Sequence, residues 1–248
     1  MEKFKLIIVF ILAIMAMSIW PSGLFANKTE LSMPQESFAT PEKAIGYFLD
    51  ALKENDFRKA LAACAIDEYS QGFDFEAYTD RMGAFVFYAS PAPSDYPLYV
   101  ELTKYERMAQ IAKKIKFFCF SLLATEKEYQ ATIPNPSKER ITAFIRSSNP
   151  AGLSGLEIIS IDKPELVEHE RHKSNEKTRA QCFGAEDGTE RLVLFRLDGE
   201  LYYSGFHLLK YKKSWKIDDF YSALTGTSPL GNAEKIDVFS YKGLIMQK

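Results

Sequence analysis

The chain has 248 residues, with 31 Lys plus Arg against 33 Asp plus Glu, for a formal charge of -2. An apolar fraction of 46% and a charged fraction of 26% suit a folded domain and exclude collagen, long disorder and a polytopic membrane protein. A pI near 6.0 leaves no electrostatic footprint for nucleic acid, and three cysteines exclude a disulfide-rich scaffold. The first segment in chain order reads as an address. Lys3 and Lys5 precede an uncharged run from Leu6 to Trp20, which Pro21, Ser22 and Gly23 break before Ala26. A basic start, a short apolar stretch and a small-residue exit make residues 1–26 a secretory signal. The run is shorter than the ~20 residues a spanning helix needs. The alternative is an uncleaved anchor over residues 6–25, the one route by which this chain would hold a membrane. In both cases the rest is expected to work outside the cytoplasmic membrane.

Residues 27–39 read as a flexible lead-in, residues 40–221 as a single α+β domain, and residues 222–248 as an irregular C-terminal extension. Thr40-Pro41-Glu42 combines an N-cap, a first-turn proline and an early acid. Ile45, Phe48, Leu49 and Leu52 follow at helical spacing. Asp56 caps a second stripe of Phe57, Ala60, Leu61 and Cys64. Phe73 to Phe87 reads as a third helix with Phe75, Tyr78, Met82 and Phe85 on its face. Prolines at 91, 93 and 97 make a loop. A long helix is then expected over Leu98–Ala124, with Leu102, Tyr105, Met108, Ile115, Cys119 and Leu122 inward.

After Pro136 the pattern alternates. Ile141–Arg146 and Leu156–Ile161 read as strands, and Glu165–Lys177 as a solvated charged connection. Three closely spaced strands follow, near Thr178–Gly184, Arg191–Leu197 and Leu201–Tyr211. Asp187-Gly188 and Asp198-Gly199 between them carry the strongest short hairpin signal. A last strand spans Trp215–Phe220. Helices first and strands second give an α+β class, with N-terminal helices packed on one face of a curved antiparallel meander.

The residues Thr40-Pro41-Glu42-Lys43-Ala44-Ile45, the Asn55-Asp56-Phe57 turn and the closing Trp215-Lys216-Ile217-Asp218 resemble the nuclear transport factor two-like (cystatin-like α+β cone) superfamily, in its exported bacterial branch. The resemblance covers residues 40–65 and 190–221. It implies a cone-like sheet wrapped on a long helix with a pocket at one end. It also implies an open sheet face that often mediates homodimers. Members include small isomerases and dehydratases as well as non-enzymatic binding domains, so the fold alone selects no activity.

Strand alternation puts Tyr203, Gly205, His207, Leu209 and Tyr211 on one face. His207 flanked by Tyr203 and Tyr211 is the most suggestive ligand-binding cluster, since an imidazole beside phenols could move a proton or grip a polar ligand. The plainer reading is an aromatic ladder with one partly exposed histidine. Asp218 and Asp219 are expected in water at a strand end. His169 and His172 could share a helix face and bind a divalent ion, but a solvated loop is the plainer expectation. Ser174-x-x-Lys177 reads as a chance match to the penicillin-recognising pattern. Cys64 and Cys119 read as buried inert thiols, with a disulfide between them left open. No phosphate loop, dinucleotide fingerprint or nucleophile elbow is present, so no cofactor, resident metal or catalytic residue is assigned. The expectation is an exported, non-catalytic binding or accessory domain whose partner is a small molecule or an envelope protein. The alternative is a lyase, isomerase or hydrolase with a pocket around His207 and Tyr203.

Overall fold

The computed structural model describes residues 34–84, 91–124 and 133–247. The chain divides after Ser32, and everything described belongs to the second unit, Met33–Lys248. The signal and anchor readings, and the Phe85–Phe87 end of the third expected helix, lie outside the described residues. Among those residues no helix is long and apolar enough to cross a membrane.

Helix α1 (Pro41–Lys53) starts where the cap signals place it: the Thr40 side chain accepts the Lys43 N–H at 3.3 Å. Asp56 does the same for α2 (Phe57–Ala62) at 2.9 Å. Short helices α3 (Asp67–Gly72) and α4 (Phe75–Met82) follow. Gly83 ends α4 with φ +66°, a left-handed cap that L side chains adopt at a cost. Helix α5 (Pro97–Leu123) is the long one. Its buried face is Thr103, Arg107, Ile111, Ile115, Phe118 and Leu122. The face expected from hydropathy is therefore out of phase in the first half, where Leu102 is 49% and Tyr105 59% exposed. The inward position there is held by Arg107, whose guanidinium has polar partners waiting inside.

Ile141–Arg146 is helical, not extended, and lies within α6 (Lys138–Ser147). Ser137 caps it, and Phe144 docks edge-on to Phe120 of α5 at 5.4 Å. Strand β1 (Glu157–Asp162) comes next. The charged run is the larger correction. It forms a 3-10 turn at Glu165–Glu168 and helix α7 (Glu170–Gln181), which absorbs most of the strand expected at Thr178–Gly184. Strands β2 (Asp187–Leu197), β3 (Glu200–Tyr211) and β4 (Ser214–Asp219) form the meander. Asp198 (φ 49°) and Gly199 (φ 81°) both sit at positive φ, the turn that matches strand twist. Asp187-Gly188 is no hairpin; it opens β2. The extension is not irregular: β5 (Glu234–Lys235) pairs with β3, and α8 (Val238–Ile245) folds back on the sheet.

The sheet order is β1-β2-β3-β4, all antiparallel, with β5 beside the first half of β3. One face holds Val193, Phe195, Phe206, Leu208 and Ile217 against Phe48 of α1 and Ile111, Ile115 and Phe118 of α5. Phe48, Phe206 and Phe220 meet pairwise at 5.0–6.0 Å between ring centroids. Aromatic side chains thus fill the concave side. The other face, expected to be open, is covered. Helix α7 lies over β2, and Tyr241 of α8 caps Leu192 and Leu194 while donating to Asp162 at 2.9 Å. The lead-in is tied down at its end, where Trp215 N–H donates to Phe38 O at 2.8 Å.

Candidate functional site

The alternation of β3 holds, but the three residues on that face do not form one cluster. Tyr203 and His207 are four residues apart on a straight strand, about 13 Å. The Tyr203 hydroxyl donates to Glu234 of β5 at 3.1 Å, and burial followed by that carboxylate pushes its pKa up to about 12. Tyr211 belongs to an aromatic group of Tyr69, Phe73, Tyr78 and Phe183, and its buried hydroxyl has no hydrogen-bond partner.

His207 sits elsewhere and is not partly exposed: it is 1% accessible. Its Nδ1 lies 3.0 Å from Asp218 Oδ2 and its Nε2 2.5 Å from Glu176 Oε2. Burial and Arg179 both oppose a charge on the ring. The carboxylates of Asp218 and Glu176 outweigh them, so its pKa lies above the ordinary 6.5. Each ring nitrogen is committed to a carboxylate, and neither reaches solvent.

Asp218 is the hub, and it lies inside rather than in water at a strand end. Ile217 points to the aromatic core, so strand alternation turns its neighbour Asp218 to the opposite face, the one that carries His207 and that α7 covers. Its carboxylate takes Arg107 Nη2 at 2.5 Å and Arg179 Nη2 at 2.7 Å as well as His207. Burial alone would raise its pKa; the two guanidiniums and the imidazole hold it far below the usual carboxylate range. Arg107 also donates to the Asp218 backbone carbonyl and to Ala65 O. Asp219, beside it, pairs with Lys114.

The network continues on α7. His172, Glu176 and Ala180 stand four residues apart on one helix face, and Glu176 is 4% exposed. Gly188 makes room for that carboxylate, since a Cβ there would stand 3.0 Å from Glu176 Oε2. Glu190 lies directly across from His207 in the sheet and is 2% exposed. It accepts from Ser222 Oγ and from the Leu224 N–H at 3.3 Å. Gly205 lets the 222–227 loop lie on the strand, because its Cβ would come within 2.5 Å of Thr227 Oγ1. Sequence reasoning missed Glu176 and Glu190, and placed Asp218 wrongly. Of the two histidines weighed as a metal pair and read instead as a solvated loop, His169 is exposed at the start of α7 and His172 turns inward on the helix.

Above this network is a polar cleft of about 600 Å³ between α7, the 3-10 turn and the start of β2. Lys163, Lys173, Lys177, Lys210 and Arg191 line it, facing Glu170, Glu186 and Asp187; Ser174 is also on its wall. Arg191 is anchored by Glu42 at 2.6 Å. Cys64, Cys119 and Cys182 are all free thiols, so no Cys64–Cys119 disulfide forms. Burial pushes Cys64 up to about 12 and Cys119 to about 11, which leaves both inert as nucleophiles near neutral pH.

No protein-family model matches the chain, and no curated protein matches it. Among solved structures it is similar to a cystatin-like protein from Ruminococcus gnavus ATCC 29149, with a TM-score of 0.50 and 22% identity. The match covers 79% of this chain and 44% of that one, so this chain spans less than half the length of that protein. A likeness at this identity speaks to the fold alone. Helices packed on a curved antiparallel sheet give the protein an α+β fold, similar to that of this cystatin-like neighbour.

Proposed function

We propose that this is an exported, non-catalytic binding or accessory domain, and that it binds small anionic ligands in the cleft between α7 and the start of β2. The observation that carries this reading is the state of His207. It is 1% exposed, and carboxylates occupy both of its ring nitrogens. A general acid or base must reach the proton it moves, directly or through one water. The concave side of the sheet, where a substrate pocket would lie in an enzyme of this fold, is filled by Phe48, Phe118, Phe206 and Phe220. The cleft on the other side is open and is lined by five cations and three acids, and four of the cations, Lys163, Lys173, Lys210 and Arg191, also pair with carboxylates. A cleft with this many lysines can exchange its internal carboxylate partners for those of a small anion, without any covalent step.

The test is a thermal-shift panel of carboxylates, phosphates and sugar acids against the wild type in chelator-containing buffer. A ligand that raises the melting temperature should lose that effect in Lys177→Ala with Lys210→Ala, both being surface positions. Retention of the shift in the double variant, or no stabilisation by any anion, would remove the cleft from consideration. The exported part of the reading rests on residues 1–26. Fused to a reporter that is active only outside the cytoplasm, they should give activity, and an inactive fusion would refute export.

A further inference from the structure

We infer that His172, Glu176 and Glu190 form a binding site for one divalent transition-metal ion of the zinc or manganese class. Two successive elements supply the donors: α7 carries His172 and Glu176, and β2 carries Glu190. One donor atom from each lies within 4.8 Å of the other two. Donors held at ~2.2 Å by a common ion stand at most about 4.4 Å apart, so only small side-chain adjustments close the site.

Two features separate this group from an ordinary acidic cluster. First, it is mixed, and both carboxylates are buried, Glu176 at 4% and Glu190 at 2% exposure. Buried like charges facing one another need a counter-charge between them. Arg179, 3.9 Å from Glu176, is shared with Asp218 at 2.7 Å, and Arg191 is held by Glu42 at 2.6 Å. Second, the His172 Nε2 is completely shielded from solvent and has no hydrogen-bond partner. A buried imidazole nitrogen left empty costs free energy that a metal bond would recover.

The supporting shell fits the same reading. Metal-bound carboxylates are themselves oriented by hydrogen bonds. Glu176 is fixed by His207, and Glu190 by Ser222 and the Leu224 N–H. The donor set also selects the ion. One imidazole with two carboxylates suits zinc or manganese; calcium prefers oxygen throughout, and no thiolate is present to favour copper(I). His172 also lines the polar cleft, so an ion bound here stands at its floor. With three protein donors, a four-coordinate ion keeps one position for water or an anion. The site does not depend on the cleft binding an organic ligand.

The experiment uses the tag-free chain, stripped with chelator and titrated calorimetrically with ZnCl₂ and, separately, with MnCl₂. One ion per chain is expected, with a melting temperature that rises on binding. His172→Ala, at a partly exposed position that the fold tolerates, should weaken binding about tenfold or more. Glu190→Gln should do the same where it folds. Absence of saturable binding of either ion by the wild type would overturn the inference, as would equal affinity in His172→Ala. These arms contain no organic anion, so failure of the metal site and failure of the anion cleft are read separately.

Discussion

Replacing Asp218 by Asn keeps the shape of the hub and removes its charge. The wild-type carboxylate binds Arg107 at 2.5 Å, Arg179 at 2.7 Å and His207 at 3.0 Å, and its side chain is 3% exposed. The variant leaves two guanidiniums packed together without their shared anion. Breaking one partner of a buried ion pair costs about 3–5 kcal/mol, because the remaining charge is stranded away from water. For a chain of this size that corresponds to a fall of roughly 10 °C in melting temperature. Urea unfolding followed by circular dichroism gives the free energy directly. The same experiment repeated in acid has a definite sign. The folded pKa of Asp218 lies below its ordinary 3.8, so its contribution is complete above that value and is lost as pH falls further. The gap between wild type and Asp218→Asn should therefore hold from pH 7 to pH 5 and shrink below pH 4. A cost under about 1 kcal/mol at pH 7, the range of an exposed pair, would refute the claim that this hub is a buried, charge-bearing anchor.

Phe206→Ala empties the centre of the aromatic layer and should cost about 3–5 kcal/mol in the same assay. Gly205→Ala drives a methyl into the loop that crosses the strand and should lose about 3 kcal/mol, whereas Gly188→Ala, which presses on a carboxylate tip, should lose about 1 kcal/mol; equal effects would contradict the loop placement. Native protein at pH 8 should resist alkylation at Cys64 and Cys119, while urea-unfolded protein should titrate three thiols; rapid native labelling of Cys64 would contradict its burial.

The elements legible in the sequence are those whose signals are local. Thr40 and Asp56 announce their helices through caps, and Asp198-Gly199 announces its hairpin through backbone conformation. The readings that failed lack a hydrophobic period or carry a misleading one. In α7 the two buried positions are Glu176 and Ala180, so ERHKSNEKTRAQ looks like a solvated connection when its inward stripe is merely polar. In α6, Ile141, Phe144 and Ile145 sit at i, i+3 and i+4 behind a Ser137 cap, a helical cue that the alternation obscured. The ion network could not be read at all. Its members come from α5, α7, β2, β3 and β4, elements that only the folded chain brings together. The only available trace was His172 four residues before Glu176, and that becomes meaningful once the segment is known to be helical.

The meander is bonded to its surroundings by two unlike adhesives. Its aromatic side answers to agents that solvate apolar surface, and stays indifferent to acid. Its α7 side, with hardly any grease, answers to protons, because the Glu176–His207 and Arg179–Asp218 pairs hold the helix in place. Because Glu176 and Asp218 both titrate below their ordinary values, only strong acid, well below pH 4, should loosen this helix while the phenylalanine layer persists. The molecule can come apart in two stages, chosen by the solvent.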